Sequence, residues 1–244
     1  MLEGMSNLVA FLPYLPVVGL ALISSTARTI HVQFFEKHFH LDFADAPVYS
    51  LLYFSAWSVV VAVLFPLQVR ALFAYVTPVH YMALAFLMLV VFPALYHTTR
   101  ERDGNPEWLL ALFPGQGMLT LGERYILAKI ADVVFQQLIA GVMILTLAAE
   151  GVSYPAIVLV FVGLFAAAHL YIFKTSGAFW GLYYTTYAAL GGFAFTFLIL
   201  FVSTGIVYTI LIHMLFYVLS GVLFAKLPRP GKAVYHELVG AGPA

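Results

Sequence analysis

Cysteine is absent from the 244-residue chain and charge is scarce, with charged residues at 9%. Without thiols there are no disulfides, iron–sulfur clusters or thiolate zinc sites, and no clue to redox compartment. Soluble domains carry about 25% charged residues. So little charge excludes an ordinary soluble enzyme, a disordered chain and a nucleic-acid binder. Neither sign dominates, since 11 Lys and Arg balance 11 Asp and Glu. Net charge therefore points to no polyanionic partner. Internal repeats, low-complexity tracts and period-two alternation are also missing, which excludes solenoids and membrane β-barrels. The start, Met1–Asn7, has Glu3 and no Lys or Arg. It lacks the basic region of a secretory signal peptide, so the first apolar run is expected to be retained.

What remains is apolar: 63% hydrophobic residues and a mean hydropathy of +0.98. A helical span needs about 20 mostly apolar residues. Seven segments qualify, at about 7–25, 47–67, 71–96, 125–149, 153–173, 179–202 and 205–225. The expected fold is an all-α, polytopic transmembrane bundle of about seven spans, forming one membrane domain over 1–244. Pro13 and Pro16 are expected to kink or break the first span near its start. The aromatic content of 16% fits interfacial belts.

Two connections are long, 26–46 and 97–124. The first holds His31, Glu36, His38, His40, Asp42 and Asp45. His38 and His40 are two apart and do not share a helix face, so a polar interfacial loop is expected there and not a metal site. In the second, Asn105, Pro106 and Trp108 fit a short interfacial helix over 105–113. Basic residues favour cytoplasmic loops. Arg28, Lys37, Arg100, Arg102, Arg124, Lys174, Lys226, Arg229 and Lys232 fall on the side of the C-terminus, and Arg70 alone on the other. The N-terminus is expected outside and the C-terminus in the cytoplasm, with Lys129 snorkelling to the cytoplasmic face.

Ionisable groups within spans are costly and are functional candidates by default. Span 4 carries Asp132, Gln136 and Gln137, span 5 His169, and span 7 His213 with Tyr217 one turn on. His80, beside Pro78 in span 3, is expected to make an ordinary interhelical hydrogen bond. At about 1.5 Å per residue, Asp132, His169 and His213 lie roughly 10, 6 and 18 Å from the cytoplasmic ends of their spans. Spans 4, 5 and 7 are expected to bring the three to one cytoplasm-facing cavity. A carboxylate and two imidazoles there could activate water and hold an oxyanion.

Span 4 reads Ala131-Asp132-Val133-Val134-Phe135-Gln136-Gln137, span 5 Phe165-Ala166-Ala167-Ala168-His169, and span 7 His213-Met214-Leu215-Phe216-Tyr217. In order and spacing these resemble, in degenerate form, the three motifs of the type II CAAX prenyl endopeptidase and bacteriocin-processing (CPBP or Abi) family. Those motifs are Glu-Glu-x-x-x-Arg, Phe-x-x-x-His and His-x-x-x-Asn. The resemblance covers about 120–225, and residues 1–119 contribute no motif. It implies a metal-independent intramembrane endopeptidase with His169 helping to activate water and His213 holding the oxyanion. Aligned on Phe135, the base position is Ala131, Asp132 takes the second-Glu position, Gln136 the Arg position and Tyr217 the Asn position. Alanine cannot be a base. A one-residue shift makes Asp132 the base and Gln137 the Arg equivalent, but misplaces Phe135.

Three readings follow. The first is a catalytically degenerate, CPBP-like membrane scaffold or partner- or lipid-binding subunit. The second is an active divergent protease using Asp132 and His169, with His213, Tyr217 and Gln136 in support, cutting near the cytoplasmic face. The third is a haem- or pigment-associated subunit of a larger complex. The depths of His169 and His213 differ by roughly 12 Å, which disfavours haem held between them. Span 7 has no Lys before Lys226 to form a retinal Schiff base. No metal or cofactor is expected. The expected partners are the lipid bilayer and either other membrane subunits or a prenylated or transmembrane peptide.

Overall fold

The computed structural model describes residues 14–39, 46–99, 123–176 and 178–226. The interfacial helix expected at 105–113, together with His40, Asp42 and Asp45, lies outside them. Prolines open the helices. Pro16 starts α1 (Leu15–Ile30), Pro47 starts α2 (Pro47–Leu64) and Pro66 starts α3 (Pro66–Phe73). Pro78 starts α4 (Pro78–Phe86) and Pro155 lies at the start of α6 (Tyr154–Ala167). At these positions the missing N–H costs no intrahelical bond. The remaining helices are α5 (Glu123–Ala149), α7 (Tyr171–Ser176), α8 (Ala178–Phe201) and α9 (Gly205–Lys226).

Two helices pass through π-turns. α1 continues through His31–Glu36 to Lys37–Phe39, and α4 through Leu87–Val91 to Phe92–Thr99. In α4 the cause is local. Pro93 has no N–H and its ring crowds the carbonyl one turn back, so the bonding pattern widens before it.

Among the described residues, six helical segments are long and apolar enough to cross a membrane. They are Leu15–Phe39, Pro47–Leu64, Pro78–Leu95, Ala128–Ala149, Tyr154–Lys174 and Trp180–Phe201. α9 adds the shorter apolar stretch Gly205–Ser220 and packs on α5 and α8. The chain is an all-α, multi-pass membrane bundle. Ala128–Ala149 is 83% buried, against 11–28% for the other five segments. α5 is therefore the central helix, with α1, α2, α3, α6, α8 and α9 packed on it. The outer helices turn large apolar side chains outward, among them Leu52, Val63, Leu159 and Leu190, as a lipid-facing surface requires.

Two expectations about spans change. The first span runs to Phe39 and does not end near residue 25, so 26–39 is helix and not loop. Its buried stripe, Val17, Leu20, Ala27 and His31, repeats at helical spacing and continues past the polar residues Ser24–Arg28. Residues 66–73 form a separate short helix, so the third span begins at Pro78 and not near 71. Among the described residues His80 makes no interhelical hydrogen bond. It closes a local capping box with Thr77 at the start of α4.

Candidate functional site

The site grows from one face of α5. Lys129, Asp132 and Gln136 are spaced i, i+3 and i+7, so they stack along that face. Asp132 is fully buried. Lys129 Nζ donates to its Oδ2 at 2.5 Å, and Gln136 Nε2 to its Oδ1 at 2.8 Å. The third donor comes from another span. Arg28 of α1 sends Nη2 to both carboxylate oxygens, at 2.9 and 3.2 Å. Arg28 is seated by the stripe beside it: Ala27 is buried against the core, and Tyr53 of α2 donates to the Ala27 carbonyl at 2.8 Å. A buried carboxylate is tolerable only when its lone pairs are met by donors and its charge by cations, and Asp132 has both.

A second cluster joins the first through Lys129. Its ammonium lies 4.5 Å from the centre of the Tyr217 ring on α9, a cation–π distance. The Tyr217 ring stacks on His213, with centroids 5.3 Å apart and planes 17° apart. His213 Nδ1 accepts from Gln137 Nε2 at 2.6 Å, which leaves the imidazole proton on Nε2. Phe195 and Phe165 complete the wall around His213. Gln137 Oε1 is buried and has no hydrogen-bond partner among the described residues.

His169 stands apart. Its Nδ1–H donates to the Phe165 carbonyl one turn back, at 2.7 Å, and its ring meets the Phe165 ring edge-on. Phe165 thus contacts both histidines. His169 lines a cavity of about 460 Å³ between α1, α5 and α6, together with Arg28, Gln33 and Gln136.

Among the described residues Asp132, Gln136, His213 and Tyr217 form one network, and of the three sequence-predicted groups only His169 lines the cavity beside it. Neither Asp132 nor His213 lines the space that His169 faces. No hydrogen bond joins Asp132 to either histidine among the described residues. Ala131, the aligned base position, is buried. Phe135 is buried too and packs against Phe54 of α2.

Sequence reasoning missed the two cations. Lys129 does not snorkel outward: it is buried and turned to Asp132. The signal was present, since Lys129 and Asp132 are three apart on one helix. Arg28 comes from the part of the chain that contributed no motif, and only packing puts it beside Asp132. In the first connection, His31 is buried, within reach of Ser50 Oγ at 3.3 Å and among the rings of Tyr49, Tyr53 and Phe54. His38 is exposed and bonds backbone carbonyls of its own helix. Among the described residues no group of three or more His, Asp or Glu side chains could hold a metal ion. Comparison with protein-family models, with characterised proteins and with solved structures finds no match to the chain.

Proposed function

We propose that the chain is a CPBP-like integral membrane protein without peptidase activity, serving as a membrane scaffold or a partner- or lipid-binding subunit. One observation carries the reading: the Asp132 carboxylate is fully buried and engaged by Arg28, Lys129 and Gln136. A general base must reach the proton it removes, through hydrogen-bond contact or one water. A carboxylate held by two cations is the weakest form of that base, because protonating it would break both ion pairs. The aligned base position, Ala131, has no proton-accepting group at all. In this reading Arg28 supplies from span 1 the positive charge that Gln136 lacks in the motif.

The orientation follows the basic residues. Arg28, Lys37 and Lys174 belong to segments that can span, and removing them from the loops leaves six cations on the side of the C-terminus against Arg70 on the other. We propose a cytoplasmic C-terminus and an outer N-terminus on that asymmetry.

The test is cleavage of a panel of prenylated and transmembrane peptides by the purified wild type and by Ala131→Glu. The expected result is no product from the wild type. Cleavage by the wild type that is lost in both Asp132→Asn and His169→Ala would overturn the reading and establish a divergent Asp/His protease. The second reading has one observation in its favour: His169 faces a cavity beside Gln136, a direct ligand of Asp132.

A further inference from the structure

The cavity beside Arg28 has a polarity gradient along the bundle. α1 and α6 each pack on α5, and the space is the cleft between them with α5 as its floor. Gln136, Ala140 and Met143 mark successive levels of that floor, spanning about 10 Å at 1.5 Å per residue. α6 folds back on α5 through the tight turn at Gly151, and Arg28, late in α1, meets Asp132, early in α5. The level of Gln136 therefore meets the later parts of both neighbours, where Arg28, Gln33 and His169 line the wall. The level of Met143 meets their earlier parts, where Ala21 and Phe161 line it. One end offers a guanidinium, an imidazole and amides, Ser24, Ser25 and Thr29 add hydroxyls along the α1 wall, and Ala21, Met143 and Phe161 line the other end with carbon and sulfur.

The cleft opens sideways. Leu164 on its α6 rim is 40% exposed, Ala168 is also exposed, and the Arg28 side chain keeps 37% of its surface accessible while Asp132 has none. Both rims belong to membrane-crossing helices, so the medium outside the opening is acyl chain. At about 460 Å³ the space falls within the range of pockets that hold small ligands, roughly 300–1,000 Å³. An acyl chain suits its apolar end. The guanidinium at the other end selects the head group, because arginine binds oxyanions through paired, charge-assisted N–H donors.

We infer that the cleft between α1 and α6 is a binding site for one acyl amphiphile with an oxyanion head group, the head against Arg28 and His169 and the chain along Ile139, Met143 and Phe161. The inference rests on the lipid-binding form of the proposed function and assigns it a place and a ligand chemistry. That chemistry has two sources: an acidic phospholipid of the bilayer, or a free fatty acid.

The full chain, purified and stripped of lipid, is titrated with phosphatidylglycerol, oleate and monoolein, a neutral acyl amphiphile without an oxyanion, and bound ligand is counted by native mass spectrometry. The expected result is one tightly held acidic amphiphile, favoured over monoolein by roughly tenfold or more, the weight of one charge-assisted hydrogen bond. Preference for phosphatidylglycerol identifies the bilayer source, and retention of oleate alone identifies the fatty acid. Arg28→Gln is expected to abolish the preference. Because Arg28 also holds Asp132, Ala168→Trp is measured beside it, filling the mouth of the cleft while leaving the ion pairs in place. It is expected to empty the site. Equal retention of monoolein, or undiminished acidic lipid in Ala168→Trp, would overturn the site. Neither result bears on peptidase activity, so the site and the inactive reading fail separately.

Discussion

Within a helix bundle, what a polar side chain costs depends on what is left when it is removed. Gln137 and His213 face each other across α5 and α9 at 2.6 Å, both buried. Truncating one strands the other, and an unmet buried polar group costs about 1–3 kcal/mol. His213→Leu should therefore lower stability by that amount, and the double variant with Gln137→Leu should recover most of it. A double-mutant cycle on thermal unfolding checks both. Lys129 has a carboxylate on one side and the Tyr217 ring on the other. Tyr217→Leu should be clearly worse than Tyr217→Phe, which keeps the ring face that meets the ammonium. Asp132, Gln136, His213 and Tyr217 were legible in the sequence because polar residues stand out in apolar runs. Arg28 was not, because nothing local to 24–28 says whether a polar turn ends a helix or faces a neighbour.

Among the elements, α5 carries the organisation. It carries Lys129, Asp132, Gln136 and Gln137 toward one end and is the most buried of the candidate spans, so its polar face is turned inward. Apolar runs located the long spans approximately but not the separate short helix α3, and proline positions explain where most helices begin. The sequence reading failed at the C-terminal half of the first span. The stretch 26–39 mixes His, Arg, Gln, Glu and Lys among its apolar residues and so reads as a loop. Its buried stripe becomes visible only once α2 and α5 are there to cover it. Tight connections hold the order of the later helices. Gly151, at φ +74°, turns the chain from α5 to α6 in a conformation that side chains resist. Gly205 opens α9 so close to the end of α8 that an added Cβ would overlap the Leu198 carbonyl. Gly205→Ala should therefore destabilise the α8–α9 hairpin by about 1–3 kcal/mol, the range for overpacking. Gly163, with open space around it, should accept alanine without loss. Unfolding of the two variants in the same detergent makes the comparison.

On the scale of the whole molecule, the usual distribution of polarity is partly reversed. Ion pairs and amides gather along the central helix, and large apolar side chains cover the outside. That arrangement suits a bilayer, where an outward charge has no solvent and an inward one can find a partner. A reporter fused after Ala244 should be active in the cytoplasm, and activity only outside it would reverse the assigned orientation. The account centres on the claim that Asp132 is a structural ion-pair partner for Arg28 and Lys129. The most direct measurement is the unfolding stability of Asp132→Asn beside the neutral triple variant Arg28→Met, Lys129→Met, Asp132→Leu. Removing one member of a buried ion cluster typically costs about 3–5 kcal/mol, whereas replacing the whole cluster with apolar groups is often close to neutral. The account predicts a large loss for Asp132→Asn and substantial recovery in the triple variant. An Asp132→Asn protein as stable as the wild type would contradict it.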